Sequence, residues 1–341
     1  MTLKIIIFVF LTILSYAGVF FLRQWLEKRR ILDHPNERSS HEVPTPRGGG
    51  WLIVIITLVT VLAFAIAAQK WNQSLVYVGL GTLIAWIGWL DDVSSLSTRF
   101  RFLMQGIAAA LVIVFIGYFK SVTIPVFGEI QFGFLAIPIT FVWIIGLTNA
   151  YNFMDGIDGI SGGVAVAAGL GWMILSSTSD IFQGSTAFWV GLAIAASSLG
   201  FLGHNWPPAK IFMGDVSSTF LGFSFAVLPL FSAKVGGDAL LLGTTILWTF
   251  IMDAGVTFLI RLAKREKVFS PHRTHLYQRL VISGIKPALV SSLYIALTLF
   301  ASFLAFGWTR GYTFVPPLII FGLPLIWILL SVYAACRNRE S

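Results

Sequence analysis

Residues 134–178 read FLAIPITFVWIIGLTNAYNFMDGIDGISGGVAVAAGLGWMILSST. Two apolar stretches, 134–150 and 160–178, flank a short polar knot. Each is long enough to cross a bilayer as a helix, so the stretch predicts one membrane span, a turn at the water boundary, and a second span. The knot itself, NAYNFMDGIDGISGG at 149–163, carries Asn152, Asp155 and Asp158 at three-residue spacing. On a helical turn that spacing points the three side chains the same way. Acids and glycines beside water, walled by apolar spans, suit the binding of a cation and a phosphate.

The pattern repeats along the chain. Apolar segments of span length lie near 3–22, 50–68, 74–90, 102–118, 134–150, 160–178, 186–203, 216–232, 239–260, 286–306 and 313–335. Of the 341 residues 57% are hydrophobic and 11% charged, and mean hydropathy is +0.84. A soluble domain carries about one quarter charged residues. The expected fold is therefore an all-α integral membrane protein of about eleven transmembrane helices, with residues 1–341 forming a single polytopic unit. The first apolar run follows Lys4 in the manner of a signal peptide, but no small-residue cleavage site precedes Arg23, and it is read as an uncleaved span. Basic residues set the orientation. With the N-terminus periplasmic and the C-terminus cytoplasmic, only Lys4, Lys70, Lys120, Lys234 and Arg310 of the 23 basic residues face outward. The others, Arg38 and Arg339 among them, face the cytoplasm. The net charge of +8 then belongs mostly to the inner face, where it attracts anionic headgroups or a phosphorylated substrate. Nucleic acid is not an expected partner. Cys336 is the only cysteine, which excludes internal disulfides and thiolate metal sites. No internal repeat of the transporter kind is evident.

The acids separate an enzyme from a transporter. Glu129, Asp180 and Asp238 fall in outward loops, and Asp253 alone lies well inside an apolar segment, as an interhelical hydrogen-bonding group or a functional one. Asp91, Asp92, Asp155, Asp158 and Asp215 gather instead at the mouths of spans. A transporter keeps its working charges near the bilayer midplane. In WIGWLDDVSSLSTRFRFLMQ, residues 86–105, the adjacent Asp91 and Asp92 repel, and Arg99 and Arg101 follow as neutralising partners or phosphate ligands. Read alone, this is equally a solvated helix end. In HNWPPAKIFMGDVSS, residues 204–218, Asp215 is either the N-cap of the next helix or a metal ligand. In DHPNERSSHEVPTPRGGG, residues 33–50, Arg47 runs into three glycines whose N–H groups are candidates to cradle an anion. The segment RLAKREKVFSPHRTHLYQRL, residues 261–280, is basic and holds His272 and His275, which solvent or headgroup contact also explains.

The ordered set PTPRGGG, DD, NFMDGIDG, HNWPPAKIFMGD and PHRTH resembles the polyprenyl-phosphate N-acetylhexosamine-1-phosphate transferases, over nearly the whole chain. That family includes the phospho-MurNAc-pentapeptide translocase of peptidoglycan synthesis and the GlcNAc-1-phosphate transferases that start O-antigen. The resemblance implies transfer of a sugar-1-phosphate from a UDP-N-acetylhexosamine to undecaprenyl phosphate, with release of UMP, at the inner face of a bacterial cytoplasmic membrane. It implies Mg²⁺, with Mn²⁺ able to substitute, held by Asp215 with Asp155. It assigns catalytic roles to Asp91, Asp92, Asp155, Asp158 and His275, Asp91 acting on the lipid phosphate. It assigns substrate contacts to Arg47, Arg99, Arg101, Asn152, Asn205, Phe212 and Arg273, with Phe212 stacking on the uracil and Asn205 lining its pocket. Membrane lipids and a second copy of the chain are the remaining expected neighbours. Many members carry HIHH or HHH where this chain reads His275-Leu276-Tyr277-Gln278, so the contact rests here on His275, helped by Arg273. The PTPRGGG and HRTHLYQ variants look more like the O-antigen subgroup that uses UDP-N-acetylated deoxy-sugars than the peptidoglycan branch. A secondary transporter of a phosphorylated solute is the alternative from another class.

Overall fold

A computed structural model of the chain describes residues 2–33, 43–179, 181–182, 185–232, 236–267 and 272–337. Arg38, Asp180, Lys234, Pro271 and Arg339, all used in the sequence reading, lie outside the described residues. Among the described residues nine helices are long and apolar enough to span a membrane. They include α1 (Thr2–Arg29), α2 (Trp51–Ala68), α3 (Trp71–Ser94), α4 (Thr98–Phe115) and α5 (Ala136–Phe153). They continue with α6 (Ile160–Thr178), α7 (Thr186–Asn205), α12 (Pro287–Thr309) and a final span, Val315–Arg337, with a π-helical stretch at Leu318–Gly322.

The two remaining expected segments are helical but not simple spans. The apolar run from 216 forms a short helix, α8 (Asp215–Val227), closed by a 3-10 turn at Leu228–Phe231. The run from 239 breaks at Leu247 into α9 (Gly237–Ile246) and α10 (Trp248–Ala263), bent by 84°. Both halves touch α12, but each also has a neighbour of its own. The first sits on a hairpin of β3 (Ser121–Ile124) and β4 (Gly128–Gln131), whereas the second lies along α5. A seven-residue helix, α11 (Leu276–Ile282), follows the basic loop.

Two helices hold the centre. The apolar windows of α6 and α7 are 72% and 78% buried, against 17% for α1 and 11% for the final span, whose flanks are left for lipid. Small residues let the central pair approach. A Cβ added at Gly169 would stand 2.8 Å from the Gly191 carbonyl oxygen, so only glycine fits. Around this pair the protein has two unlike ends. One carries the β3–β4 hairpin, whose Glu129 accepts a hydrogen bond from Gly237 N at the start of α9. The other collects the loops 91–97, 154–159 and 206–214, with residues 264–267 and 272–275. There β1 (Leu32–Asp33) pairs antiparallel with β2 (Thr45–Pro46), and Arg47 forms a parallel bridge to Phe212.

Candidate active site

The scaffold of the site is the start of α8. Gly214 takes a positive φ of 80°, and a Cβ there would meet Asp92 Oδ2 at 2.6 Å, so glycine is required on both counts. The first N–H groups of a helix lack intrahelical acceptors. Asp92, at the end of α3, supplies them: Oδ1 accepts from Asp215 N at 2.8 Å and Oδ2 from Val216 N at 3.0 Å. A carboxylate at a helix N-terminus also meets the positive end of the helix dipole. α3 can come this close because residue 88 is glycine; a Cβ on Gly88 would fall on the backbone of Asp215.

Held in this way, Asp215 does not cap its own helix. Its carboxylate turns toward the site and meets two arginines from different segments. Arg47 reaches Asp215 Oδ1 at 2.7 Å through Nη2 and Asp92 Oδ1 at 2.8 Å through Nε. Arg101, on α4, donates to Asp91 Oδ2 at 2.6 Å and stands 3.7 Å from Asp215 Oδ2. Asp91 Oδ1 accepts from Leu96 N at 2.7 Å, which folds the α3–α4 loop back over the pair. Burial alone would lower the affinity of Arg47 for its proton, but Asp215, Asp92 and Asp33 hold it charged, above the ordinary arginine range. The two acids of the DD pair therefore differ in task. The Asp92 side chain is fully buried and anchors α8, whereas Asp91 retains some exposure beside Arg101.

The 149–163 knot corrects one expectation. α5 ends at Phe153, so Asn152, Asp155 and Asp158 do not share a helical turn. They part to three partners. Asn152 Oδ1 accepts from Ser218 Oγ at 2.7 Å, joining α5 to α8. Asp158 Oδ2 accepts from Ala209 N at 2.9 Å, fastening the 206–214 loop. Asp155 remains at the mouth, close enough to Arg47 and Asp92 to feel both charges. Burial pushes its carboxyl up to about 7, against the opposing pull of Ser161 and Arg47.

A second correction concerns PTPRGGG. Gly48 N and Gly49 N donate to Phe212 O, and Gly50 N donates to Met213 O, so the glycine amides zip the 48–50 segment to residues 212–213. They are committed to carbonyls. The tightness serves position: it delivers Arg47 to the acids. Asn205 is similarly used, its Nδ2 donating to Ile211 O at 2.9 Å and its Oδ1 accepting from Gly159 N at 3.0 Å. This amide braces two loops, and Phe212 lies half-buried beside Arg47. Arg99 and Arg273 are exposed, and no ion pair joins Arg99 to the acids among the described residues.

His275 opens α11 and is buried. Its Nδ1 stands 3.4 Å from Asp253 Oδ1, and its ring lies 6.4 Å from that of Phe153 at the end of α5. Asp253, within the apolar stretch of α10, accepts from Leu276 N at 2.7 Å, Tyr277 N at 3.0 Å and the Tyr294 hydroxyl at 2.7 Å. Asp253 is thus the N-terminal anchor of α11, as Asp92 is of α8. Tyr277 completes the link by donating to Phe153 O at 3.1 Å.

Sequence reading missed the floor of the site. Gln105, buried on α4, accepts from Asn149 Nδ2 at 2.6 Å and lines a small cleft with Asp91, Arg101, Asp215 and Thr219. Asn149 also borders a larger, almost wholly apolar groove of about 410 Å³ between α4, α5 and α10, with Phe102, Phe153 and Phe258 in its walls. Charged cleft and apolar groove therefore adjoin across one Gln–Asn pair. The nearest signal was Asn149 at the head of the quoted knot.

The sequence model of glycosyl transferase family 4 matches residues 74–233, which carry the DD pair, the knot and Asp215. A probable undecaprenyl-phosphate N-acetylglucosaminyl 1-phosphate transferase of Bacillus subtilis (strain 168) is 33% identical over 260 residues, covering 74% of this chain and 70% of its own. The undecaprenyl-phosphate alpha-N-acetylglucosaminyl 1-phosphate transferase of Escherichia coli (strain K12) is 29% identical over 98% of this chain and 89% of its own. The phospho-N-acetylmuramoyl-pentapeptide-transferase of Chlamydia trachomatis serovar L2 is 29% identical over 65% of this chain and 72% of its own. With the family model falling on the DD pair, the knot and Asp215, and a relative 33% identical over 70% of its own length, the chain belongs to glycosyl transferase family 4, among the polyprenyl-phosphate N-acetylhexosamine-1-phosphate transferases.

Proposed function

We propose that the protein transfers an N-acetyl(deoxy)hexosamine-1-phosphate from a UDP-sugar to undecaprenyl phosphate at the cytoplasmic face of a bacterial inner membrane. The products are undecaprenyl-diphosphate-sugar and UMP, the first step of an O-antigen or related envelope polysaccharide. One observation carries the reading: a cluster of paired carboxylates and arginines stands beside an apolar groove of about 410 Å³. A polyprenyl phosphate needs that juxtaposition, its tail in the groove and its headgroup among the charges. The N-acetylglucosaminyl transferases of B. subtilis and E. coli favour this branch over the peptidoglycan one.

The oxygen donors lining the cleft are the carboxylates of Asp91 and Asp215, the Gln105 amide and the Thr219 hydroxyl, with no thiol or imidazole among the described residues there. Among the described residues no three acids or histidines converge as a ready metal cage. Mg²⁺ takes one or two carboxylates and fills its sphere with water and phosphate oxygens, so this set fits it. Asp215 would hold the ion with Asp155, and a bound Mg²⁺ would neutralise charge on the diphosphate. The remaining steps belong to the chain. Arg47 and Arg101, now on carboxylates, are placed to exchange them for phosphate oxygens, which guanidinium groups grip in a bidentate manner. They would hold the acceptor and donor phosphates in line, the main catalytic task in phosphoryl transfer. An oxygen of the lipid phosphate attacks the β-phosphorus. The bond from that phosphorus to the bridging oxygen breaks, and the oxygen leaves with UMP. The acceptor has a second pKa of about 6 and is largely dianionic at neutral pH, so it attacks without a strong base.

The test is transfer of label from a panel of UDP-N-acetylhexosamines and their 6-deoxy forms into a solvent-extractable lipid. Labelled product with one donor names the sugar. Product only with UDP-MurNAc-pentapeptide would move the chain to the peptidoglycan branch, and none with any donor would reject the reading.

A further inference from the structure

The bonds of the Gln105–Asn149 pair fix which way each amide points. Asn149, on α5, stands 2.8 Å from Ile145 O, a backbone carbonyl that only accepts, so the Asn149 atom there is Nδ2. The same Nδ2 lies 2.6 Å from Gln105, so the Gln105 atom facing it is the acceptor, Oε1. Gln105 Nε2 is thereby turned to the opposite side.

That donor is unused. Among the described residues Gln105 Nε2 has no hydrogen-bond partner, and it keeps accessible surface, unlike the unpaired atoms sealed inside the bundle. Gln105 as a whole is only 6% exposed, a place where an amide without a partner is costly. It borders the cleft and not the groove, so the surface left to Nε2 opens toward Asp91 and Asp215. Helix α4 sorts its side chains between the two spaces. Arg101 and Gln105, one turn apart, border the cleft, whereas Phe102 borders the groove. Asn149 stands in the groove wall and grips Gln105 from that side.

We propose that Gln105 Nε2 donates to the phosphate monoester of the lipid acceptor where its chain passes from groove to cleft, and that Asn149 is the positioning residue that keeps this donor turned to the phosphate. The assignment rests on the transferase reading and adds to it a ligand for the acceptor. Arg101 and Gln105 offer one phosphate a guanidinium and an amide from successive turns of α4. The cleft now encloses only about 10 Å³, so the phosphate takes its place as Arg101 exchanges carboxylate for phosphate oxygens. The adjoining groove assigns the site to the acceptor and not to the UDP-sugar, because only the acceptor carries a long apolar tail.

Binding without turnover tests it: native mass spectrometry of the full chain, delipidated and titrated with undecaprenyl phosphate or undecaprenol, with no UDP-sugar present. Wild type should prefer the phosphorylated lipid. Gln105→Met, close in length but without the amide, should cut that preference about tenfold or more, as befits a hydrogen bond to a charged group. Asn149→Asp should cut it too with Gln105 intact, because a carboxylate there accepts from Nε2 and turns the amide round. The preference is a ratio of two lipids on the same folded protein, so a general loss of stability cancels. In turnover, KM for the lipid should rise in both variants while KM for the UDP-sugar holds. A rise confined to the UDP-sugar would give Gln105 to the donor and overturn the assignment. Equal lipid preference in wild type and both variants would overturn it alone, leaving the transferase reading in place. A wild type that retains the two lipids equally would overturn both.

Discussion

At the scale of single residues, the site consists of carboxylates given different tasks by what surrounds them. Asp92 accepts two helix N–H groups and an arginine, Asp215 meets arginines from two segments, and Asp155 stands at the mouth with a raised pKa. Arg47→Gln would leave two carboxylates short of their counter-charge, and should cost about 1–3 kcal/mol in a thermal or denaturant melt, less than a fully buried pair because the guanidinium is partly exposed. Asp155 makes a pH prediction. Between about pH 4 and 7 the folded protein keeps a proton there that the unfolded chain has released. Its contribution to stability therefore falls as pH rises through that window and levels off above about 7. In EDTA, the melting temperature of wild type relative to Asp155→Asn should decline from about pH 4 to 7; parallel curves would exclude the raised pKa. Residue type was legible in the sequence, because acids and arginines beside apolar spans are rare and expensive. Their assignments were less so. Which carboxylate anchors a helix, and that the glycine amides of residues 48–50 bond to Phe212 and Met213, depends on partners more than 100 residues away.

At the scale of elements, two short helices are fixed by acids from other helices: α8 by Asp92 and α11 by Asp253. Neither anchor could be inferred from local spacing, since 123 and 23 residues separate donor from acceptor. The bend between α9 and α10 was also silent, because Leu247 at the break is neither proline nor glycine. Nine of the eleven expected spans were readable, whereas the runs from 216 and from 239 were not, since hydropathy reports burial in lipid or protein alike. Asp253→Asn should lower stability by about 1.5–3 kcal/mol, the worth of hydrogen bonds to a charged group, while turnover stays near wild type. A turnover collapse at unchanged stability would instead make Asp253 catalytic. Gly88→Ala should force α3 away from Asp215, costing about 1–3 kcal/mol by overpacking and lowering activity more than Gly79→Ala, where the added Cβ meets open space. Equal effects at the two positions would dismiss the close approach.

At the scale of the whole molecule, charge and hydropathy divide the protein into one end bearing a hairpin and one bearing the cleft, with a groove running from the cleft into the apolar bundle. The excess of basic residues at the cleft end predicts that it faces the cytoplasm. Cys336, exposed and the only cysteine, reports on this directly. A membrane-impermeant maleimide should label it only after spheroplasts are permeabilised, and labelling of intact spheroplasts would invert the topology. A transporter would place its ionisable groups at mid-depth. Here Asp253, the acid inside an apolar stretch, is occupied as a helix anchor, and the uncommitted chemistry sits at the mouth. The most direct test of the account is UMP release by the purified protein in Mg²⁺, with UDP-N-acetylglucosamine and undecaprenyl phosphate, beside Asp215→Asn. The account predicts release that requires the lipid, stops in EDTA and falls on the order of 10²-fold or more in the variant. Lipid-independent release, or a folded Asp215→Asn as active as wild type, would contradict it.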